Sequence, residues 1–525
     1  MTSEQAREKR DENREERVAR PAGGVIGRVA EWFDSRIGLS YRFLRDAPAY
    51  SINPFYWLGA LTVVAFVIQG VTGIMMMLYY IPTPTQAYSS TQFIFQHVSY
   101  GRFLETVHLY TAYAMIALAF MHMMRGYFVS VYKKPREVMW LVGMGMGFVT
   151  LLFGFTGYLL PWTVVSKSAT DVGVGMMSAL PQPVSSFLTF LIVGSNGDAG
   201  TLLRFYDLHV VLLPAVLLLL LGVKMFMLEA HGISEPVRGL ESTTEKERKL
   251  IPIFPDVSFY LVELAGLFGA AMLLISAIFP LSLPPQYTPQ LAAQYTPQPD
   301  WYFLWIYQIL KVEIFEGNGL PVALSAITII FIVLTLLPII DRRKEKSIGK
   351  RKIFVTLGAM FVSEVVTLSV WGELTPGQII PNEQATLILG GVALIVALCS
   401  AAVYRLVYRS TVGRKQLVST TAATRQASSA SENSLPPSVS PSLRIGVSFV
   451  AVLGLSALSI GSTVNSLASI IVEGLNASLI GSLALSVFGV AISASAIIYI
   501  LYRLELGSGS LKRRYKALEV GWRKD

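Results

Sequence analysis

Three histidines of this chain stand in strongly apolar surroundings, His108 and His122 in one stretch and His209 in another. Between His108 and His122 a helix turns through about 1400°, about 40° short of four full turns, and rises by about 21 Å. Both rings therefore face one side of one helix, at two depths. That geometry suits two haems stacked across a bilayer, each taking one axial ligand from this helix and one from a partner helix. His209 is a partner at the first depth, and Lys224, 15 residues further on, reaches the second. Glycines repeat the interval, because Gly59 and Gly73, and likewise Gly143 and Gly157, are 14 apart. A glycine at ring level lets a flat macrocycle approach the backbone. Two plainer readings compete: intramembrane histidines also bridge helices by hydrogen bonds, and small residues also serve close helix packing. Neither predicts a common period on several segments, and the haem reading does. Lys224 needs its own reason, since a lone ammonium at mid-span costs roughly 2.5 to 3.5 kcal/mol on insertion scales.

Such residues have to be positioned by membrane-spanning helices. Of the 525 residues 53% are apolar and 15% charged, a membrane composition. Cys399 is the only thiol, which excludes an internal disulfide, a cysteine-ligated zinc or iron–sulfur site, and covalent haem attachment. The net charge of +9 is assigned to cytoplasmic loops and lipid headgroups rather than to nucleic acid. Ten apolar stretches are long enough to cross a bilayer: 53–80, 103–129, 138–160, 202–229, 258–280, 320–340, 353–372, 384–408, 443–470 and 476–503. The expected fold is all-α and polytopic, a four-helix dihaem bundle with further transmembrane helices.

Along the chain this gives a charged cytoplasmic tail (1–24) and an interfacial amphipathic helix (25–46) with Ile26, Val29, Phe33 and Ile37 at helical spacing. An N-terminal dihaem domain (47–232) and a C-terminal domain (233–410) follow. A flexible linker rich in Ser, Thr, Ala and Pro (411–442) then leads to two extra helices and a basic tail (443–525). With the amino terminus inside, the basic loops 130–137, 341–352 and 405–442 and the tail all fall on the cytoplasmic side of a multi-pass protein of the cell membrane.

Short motifs go further. "QGVTG" in the first span, "HLYTAYAMIALAFMHMMRG" in the second, "GYLLPW" closing the third, "LLRFYDLHVVLLP" opening the fourth and "PDWYFLWIYQILK" after the fifth form one set. Together they resemble the cytochrome b subunit of quinol:cytochrome c oxidoreductases, the bc-type complexes and their plastoquinol-oxidising relatives. "HGISEP" after the fourth span and the spacing of 15 resemble the plastoquinol branch. The resemblance implies two non-covalent b-type haems: an outer, low-potential one on His108 and His209, and an inner, high-potential one on His122 and the residue at 224. Arg125 and Arg204 match arginines that contact haem propionates; read alone, Arg125 is a cation snorkelling at a helix end. Where the family has an arginine three residues before the first histidine this chain has Glu105, with Arg102 a turn away as a substitute. On the fourth span Val223 is 14 residues beyond His209, Lys224 is 15 beyond, and His231 is 22 beyond, about 33 Å along a helix. The neutral amine of Lys224 is therefore the expected second ligand of the inner haem. The competing reading has Lys224 snorkel to the headgroups or serve the inner quinone site.

Pro299, Asp300, Trp301 and Tyr302 stand where the family usually carries Pro-Glu-Trp-Tyr, and the resemblance places them, with Tyr158, in the quinol pocket. A carboxylate in a low-dielectric pocket is suited to accept a proton from quinol; the local alternative is that Asp300 caps the following helix. The implied activity is that of a subunit of a quinol:cytochrome c (or other acceptor) oxidoreductase. Quinol is oxidised at an outer site, one electron goes to a Rieske iron–sulfur protein, and the other crosses through both haems to an inner quinone site, coupled to proton translocation. One cysteine cannot hold the cluster, so the Rieske protein is a separate chain. Cytochrome c or another acceptor subunit, a membrane quinone and a second copy of this chain are the other implied partners. The rivals are a dihaem membrane anchor of a dehydrogenase, which has no use for PDWY, and a haem-free transporter with proton-relay histidines.

Overall fold

The computed structural model describes residues 46–48, 51–194, 197–234, 250–253, 257–346 and 350–427. The charged tail, the interfacial helix apart from Asp46, and residues 443–525 with their two expected spans lie outside the described residues. In hydrocarbon every backbone N–H and C=O must be satisfied within the chain, so unbroken apolar stretches become helices. Among the described residues seven helices are long and apolar enough to cross a membrane. They are α1 (Leu58–Met77), α2 (Gly101–Phe128), α3 (Glu137–Leu159), α4 (Gly200–His231), α5 (Ser258–Ile278), α7 (Lys352–Leu374) and the first part of α8 (Asn382–Ala427).

Two expectations need correction. The apolar stretch 320–340 is not one span but α6 (Leu320–Thr335) followed by a short helix, Leu337–Ile340. Pro338 has no N–H to give to the carbonyl four residues back, which breaks the ladder there. That carbonyl, on Leu334, instead accepts the indole N–H of Trp140 at 2.9 Å. The second correction concerns the linker at 411–442, because α8 continues through its first part to Ala427. Residues 411–427 contain no proline, and Ser, Thr, Ala and Arg are tolerated in a helix; the first proline is Pro436.

The chain divides into two units, one of residues up to Tyr295 with Leu320–Ala359, the other of Thr296–Gly319 and the residues from Met360 on. In the first unit α1 packs along α2, α2 along α3, and α3 along α4, with α5 against α1 and α2. Strands β1 (Asp46–Pro48) and β2 (Leu250–Pro252) pair antiparallel beside them. Ala65 of α1, Met115 of α2, Val149 of α3, and Leu213 and Leu217 of α4 form one buried cluster, flanked by Phe66 and Phe153. On each helix this layer falls about midway between the two positions that recur every 14 or 15 residues.

At one end of the first unit a buried ionic cluster joins the segment after α2 to the segment between α6 and α7. Asp341 accepts from Tyr132 Oη at 2.7 Å, Lys133 Nζ at 3.0 Å and Arg351 Nε at 3.2 Å. Arg351 also donates to Tyr132 Oη and to the Phe128 carbonyl. Burial by itself would raise the Asp341 carboxyl, but the hydrogen bonds from Tyr132 and Lys133 and the charges of Lys133 and Arg351 prevail and hold it below its ordinary value. A carboxyl depressed in the folded state stabilises the fold above its unfolded pKa, about 4, and loses that contribution as pH falls below it. Asp341→Asn leaves two buried cations short of their counterion and is expected to cost about 3 kcal/mol of stability at pH 7. Thermal unfolding of the purified protein should show that loss at pH 7 and a narrowing difference from wild type below pH 4. An equal difference at both pH values would refute it.

Candidate haem and quinol sites

The bundle brings the recurrent residues together at two levels. At the first level His108 of α2 faces Gly73 of α1, and His209 of α4 faces Gly157 of α3. A Cβ added to Gly73 would lie 3.4 Å from His108 Cε1, and one added to Gly157 only 2.6 Å from His209 Cε1. At the second level a Cβ on Gly59 would lie 3.0 Å from His122 Cε1, and one on Gly143 would lie 3.1 Å from Lys224 Nζ. Each of the four candidate ligands therefore rests in a notch left by one of the four glycines. At the first level the His108 and His209 ring centroids are 6.4 Å apart, edge to face.

Three features of the first level escape a reading of the sequence. Thr72 Oγ1 lies 2.8 Å from His108 Nδ1, and Thr156 Oγ1 lies 3.1 Å from His209 Nδ1. Each hydroxyl gives its hydrogen to the carbonyl four residues back, Ile68 at 2.7 Å and Leu152 at 2.8 Å. With that hydrogen committed, the oxygen can only accept from the ring, so Nδ1 carries the proton and the Nε2 lone pair is left for a metal. Gln69 Nε2 also donates to the His108 carbonyl at 2.5 Å. The signal was present in the sequence as a Thr-Gly pair at both Gly73 and Gly157, but only a structure places those hydroxyls on the rings. At the second level the residues before the glycines are Leu58 and Val142, and His122 Nδ1 is buried with no hydrogen-bond partner.

The fourth helix holds another surprise. Residues Leu208–Leu212 form a π turn, which takes up one more residue than an α turn. The extra residue explains why His209 and Lys224 are 15 apart while the other three pairs are 14 apart. Without it Lys224 would be rotated by about 100° from the position that matches His122.

The arginines are placed as follows. The Arg125 guanidinium lies over the Tyr56 ring, 4.1 Å from its centroid. Arg204 donates to the carbonyls of Phe190 and Leu191. Arg102 is committed to the carbonyls of Leu281 at 2.6 Å and Pro280 at 3.2 Å, while Glu105 Oε2 is buried without a partner. Tyr158 directly follows Gly157 near the end of α3.

In the second unit the PDWY residues form turns ahead of a short helix, Leu304–Leu310, whose N-cap is Phe303, so Asp300 does not cap it. The Asp300 carboxylate instead accepts from the buried Tyr302 hydroxyl at 3.3 Å. Gln298 Nε2 donates to Glu373 Oε2 at 3.0 Å, and Glu373 is near enough for its charge to interact with that of Asp300. Tyr307 donates to the Pro297 carbonyl at 2.7 Å and Lys311 Nζ to the Thr375 carbonyl at 2.5 Å, which fixes both ends of the segment. Burial pushes the Lys311 ammonium down to about 8.

These donors fit haem. Among the described residues no three His, Cys, Asp or Glu side chains gather as a metal cluster. A pair of donors at each level suits an iron whose macrocycle supplies the equatorial nitrogens, and the absence of a Cβ at each glycine leaves room for a donor or a ring edge against the facing backbone.

The seven apolar helices among the described residues define a polytopic helical membrane protein. Residues 113–290 match the family described as "Cytochrome b(N-terminal)/b6/petB" and residues 290–398 the one described as "Cytochrome b(C-terminal)/b6/petD". The chain belongs to the cytochrome b family of bc-type complexes, and b-type haem binding follows from that membership. It is 34% identical over 355 residues to a "Cytochrome bc complex cytochrome b subunit" of Chlorobaculum thiosulfatiphilum, covering 66% of this chain and 81% of that one. It is 34% identical to a "Cytochrome b6" of Acaryochloris marina, covering 40% of this chain and all of that one. A solved structure titled "Hyperthermophilic respiratory Complex III" shares the fold, with a TM-score of 0.58 and 24% identity over 71% of this chain and 96% of that chain.

The threonines give a direct test. Thr156→Val keeps the shape but removes the side-chain acceptor from His209, leaving only the Phe153 carbonyl, and Thr72→Val removes the acceptor from His108. Each is expected to weaken haem retention at the first level by about 10- to 100-fold or to shift that haem's midpoint potential. Reduced-minus-oxidised spectra and a redox titration check this. Retention and potential unchanged in both variants would mean that the hydroxyls serve only their own helices.

Proposed function

We propose that this chain is the quinol-oxidising subunit of its complex, with one haem at each level of the bundle. The observation that supports it most is the pairing of Gly59, Gly73, Gly143 and Gly157 each with one candidate ligand. Haems held there would carry single electrons across the membrane. His108 and His209 bind at the outer, low-potential level, oriented by Thr72 and Thr156, and His122 binds at the inner, high-potential level. The layer of Ala65, Met115, Val149, Leu213 and Leu217 keeps water and charge out of the space between the levels. Arg125 and Arg204 turn to the propionates.

Asp300 accepts a proton from quinol, and the Tyr302 hydroxyl orients its carboxylate while the substrate is bound. Pro299 and Trp301 shape that pocket, and Tyr158 contributes to quinol binding. One electron leaves to a separate Rieske iron–sulfur protein and on to cytochrome c or another acceptor. The other goes to an inner quinone site, and protons are translocated. The basic loops favour an N-terminus in the cytoplasm of a multi-pass protein of the cell membrane, and the family relation supports assembly as a homodimer within the larger complex.

A pyridine haemochrome assay should find two non-covalent b-type haems per chain. His209→Ala should remove the outer one and His122→Ala the inner one; a single haem in wild type, or a full complement in His209→Ala, overturns the reading. Asp300→Asn should slow quinol oxidation by at least about tenfold with both haem spectra intact. A rate unchanged from pH 5 to 8 would take the proton-accepting role away from Asp300.

A further inference from the structure

We propose that the amine of Lys224 is an axial ligand at the second level, opposite His122, so that the inner haem is held by one imidazole and one amine. This rests on the two-level haem reading and deepens it at one position.

The placement is carried by geometry. Lys224 Nζ occupies the Gly143 notch as His209 occupies the Gly157 notch and His122 the Gly59 notch. The four ligand positions thus have one relation to the four glycines, with an amine in place of the fourth ring. The π turn at Leu208–Leu212 absorbs the odd residue between His209 and Lys224, which restores the relation that His108 and His122 have on α2. A wide turn in a membrane helix gives up regular hydrogen bonding, and here it aligns the two donors of α4.

The alternatives for Lys224 are poorer. Among the described residues no hydrogen bond or ion pair neutralises it. Snorkelling would take the amine towards the nearer helix end, at His231. A helical Cα–Cβ bond leans towards the N-terminus, so the lysine stem starts in the opposite direction, into the bundle. His231 cannot replace it, since that ring sits at the end of α4 with Nδ1 on the Met227 carbonyl. Gly59 and Gly143, the glycines that His122 and Lys224 face, are each 14 residues from the glycine faced by a first-level histidine, which puts both donors on the second level.

The chemistry balances simply. The nitrogen lone pair that would hold the ammonium proton forms the Fe–N bond, and the proton leaves to solvent; no electron is transferred. An amine is a pure σ donor, whereas an imidazole also has a π system. A mixed pair therefore gives a low-spin iron whose electron paramagnetic resonance signal differs from that of a two-imidazole site.

The test compares the complex with Lys224→Ala, Lys224→Arg and Lys224→His, read by absorption, electron paramagnetic resonance and redox titration. Wild type should hold two low-spin haems. Lys224→Ala and Lys224→Arg should turn the inner haem high-spin or lose it while the outer haem stays intact, and added imidazole should return the Ala variant to low spin. Lys224→His should keep a low-spin inner haem with an altered resonance signal. An inner haem that stays low-spin with its potential unmoved in Lys224→Ala or Lys224→Arg overturns the proposal, and so does a resonance signal unchanged in Lys224→His. The Arg variant keeps the positive charge, so a role as headgroup or quinone cation would survive in it where ligation would not. A wild-type count below two haems would instead defeat the haem reading itself, independently of the spin state.

Discussion

A flat macrocycle comes closest to a helix backbone where the residue facing it lacks a Cβ and a donor stands across from that gap. In this chain that arrangement occurs four times, at Gly59, Gly73, Gly143 and Gly157. The rest of the first unit follows from it. Two levels separated by about 21 Å require helices long enough to cross the bilayer, and they require those helices to stay in register over about four turns. The apolar layer from Ala65 to Leu217 fills the interval, with the Phe66 and Phe153 rings 6.2 Å apart beside it.

The two levels are built differently. At the first, threonines fix the proton on Nδ1 of both histidines, so the rings are committed to one tautomer and one orientation before any metal arrives. At the second, apolar residues precede the glycines and His122 Nδ1 has no partner, so its ring is positioned by packing alone. In the proposed dihaem reading, unequal support of the candidate ligands is one way for the protein to give the two sites unequal potentials.

The family relation and the physics meet in the order of the chain. One polypeptide matches both the N-terminal and the C-terminal cytochrome b descriptions, and the boundary between them, at residue 290, falls nine residues before Pro299, the start of PDWY. There the chain leaves regular helix: Tyr307 and Lys311 anchor the turn-rich segment through backbone carbonyls, and Asp300 is held by Tyr302. Loops carry chemistry when rigid elements hold them, and here the anchors are side chains of the loop itself and of the helix that follows it.

The sequence by itself determined a great deal. Long apolar runs have few structural solutions in hydrocarbon, so the helices at 58–77, 101–128, 137–159, 200–231 and 258–278 were legible from composition. The helical period then put His108 and His122 on one face, and the glycine interval pointed to ring-sized gaps. What only the tertiary structure decided depends on distance between segments or on small departures from regularity. Which glycine serves which ligand follows from which helices are neighbours. The role of Thr72 and Thr156 depends on rings carried by other helices, 36 and 53 residues away. The π turn at Leu208–Leu212 contains no proline or glycine itself, and only Pro214, which withholds an N–H from the Val210 carbonyl, marks a departure from regular helix there; yet it decides where Lys224 points. Pro338 did announce a break, but an apolar run of 21 residues hid it, because hydropathy counts side chains and not missing N–H groups. The continuation of α8 to Ala427 was concealed for the opposite reason: a polar composition resembles a linker, while a helix can run through it, past the single Gly413, because no proline interrupts it.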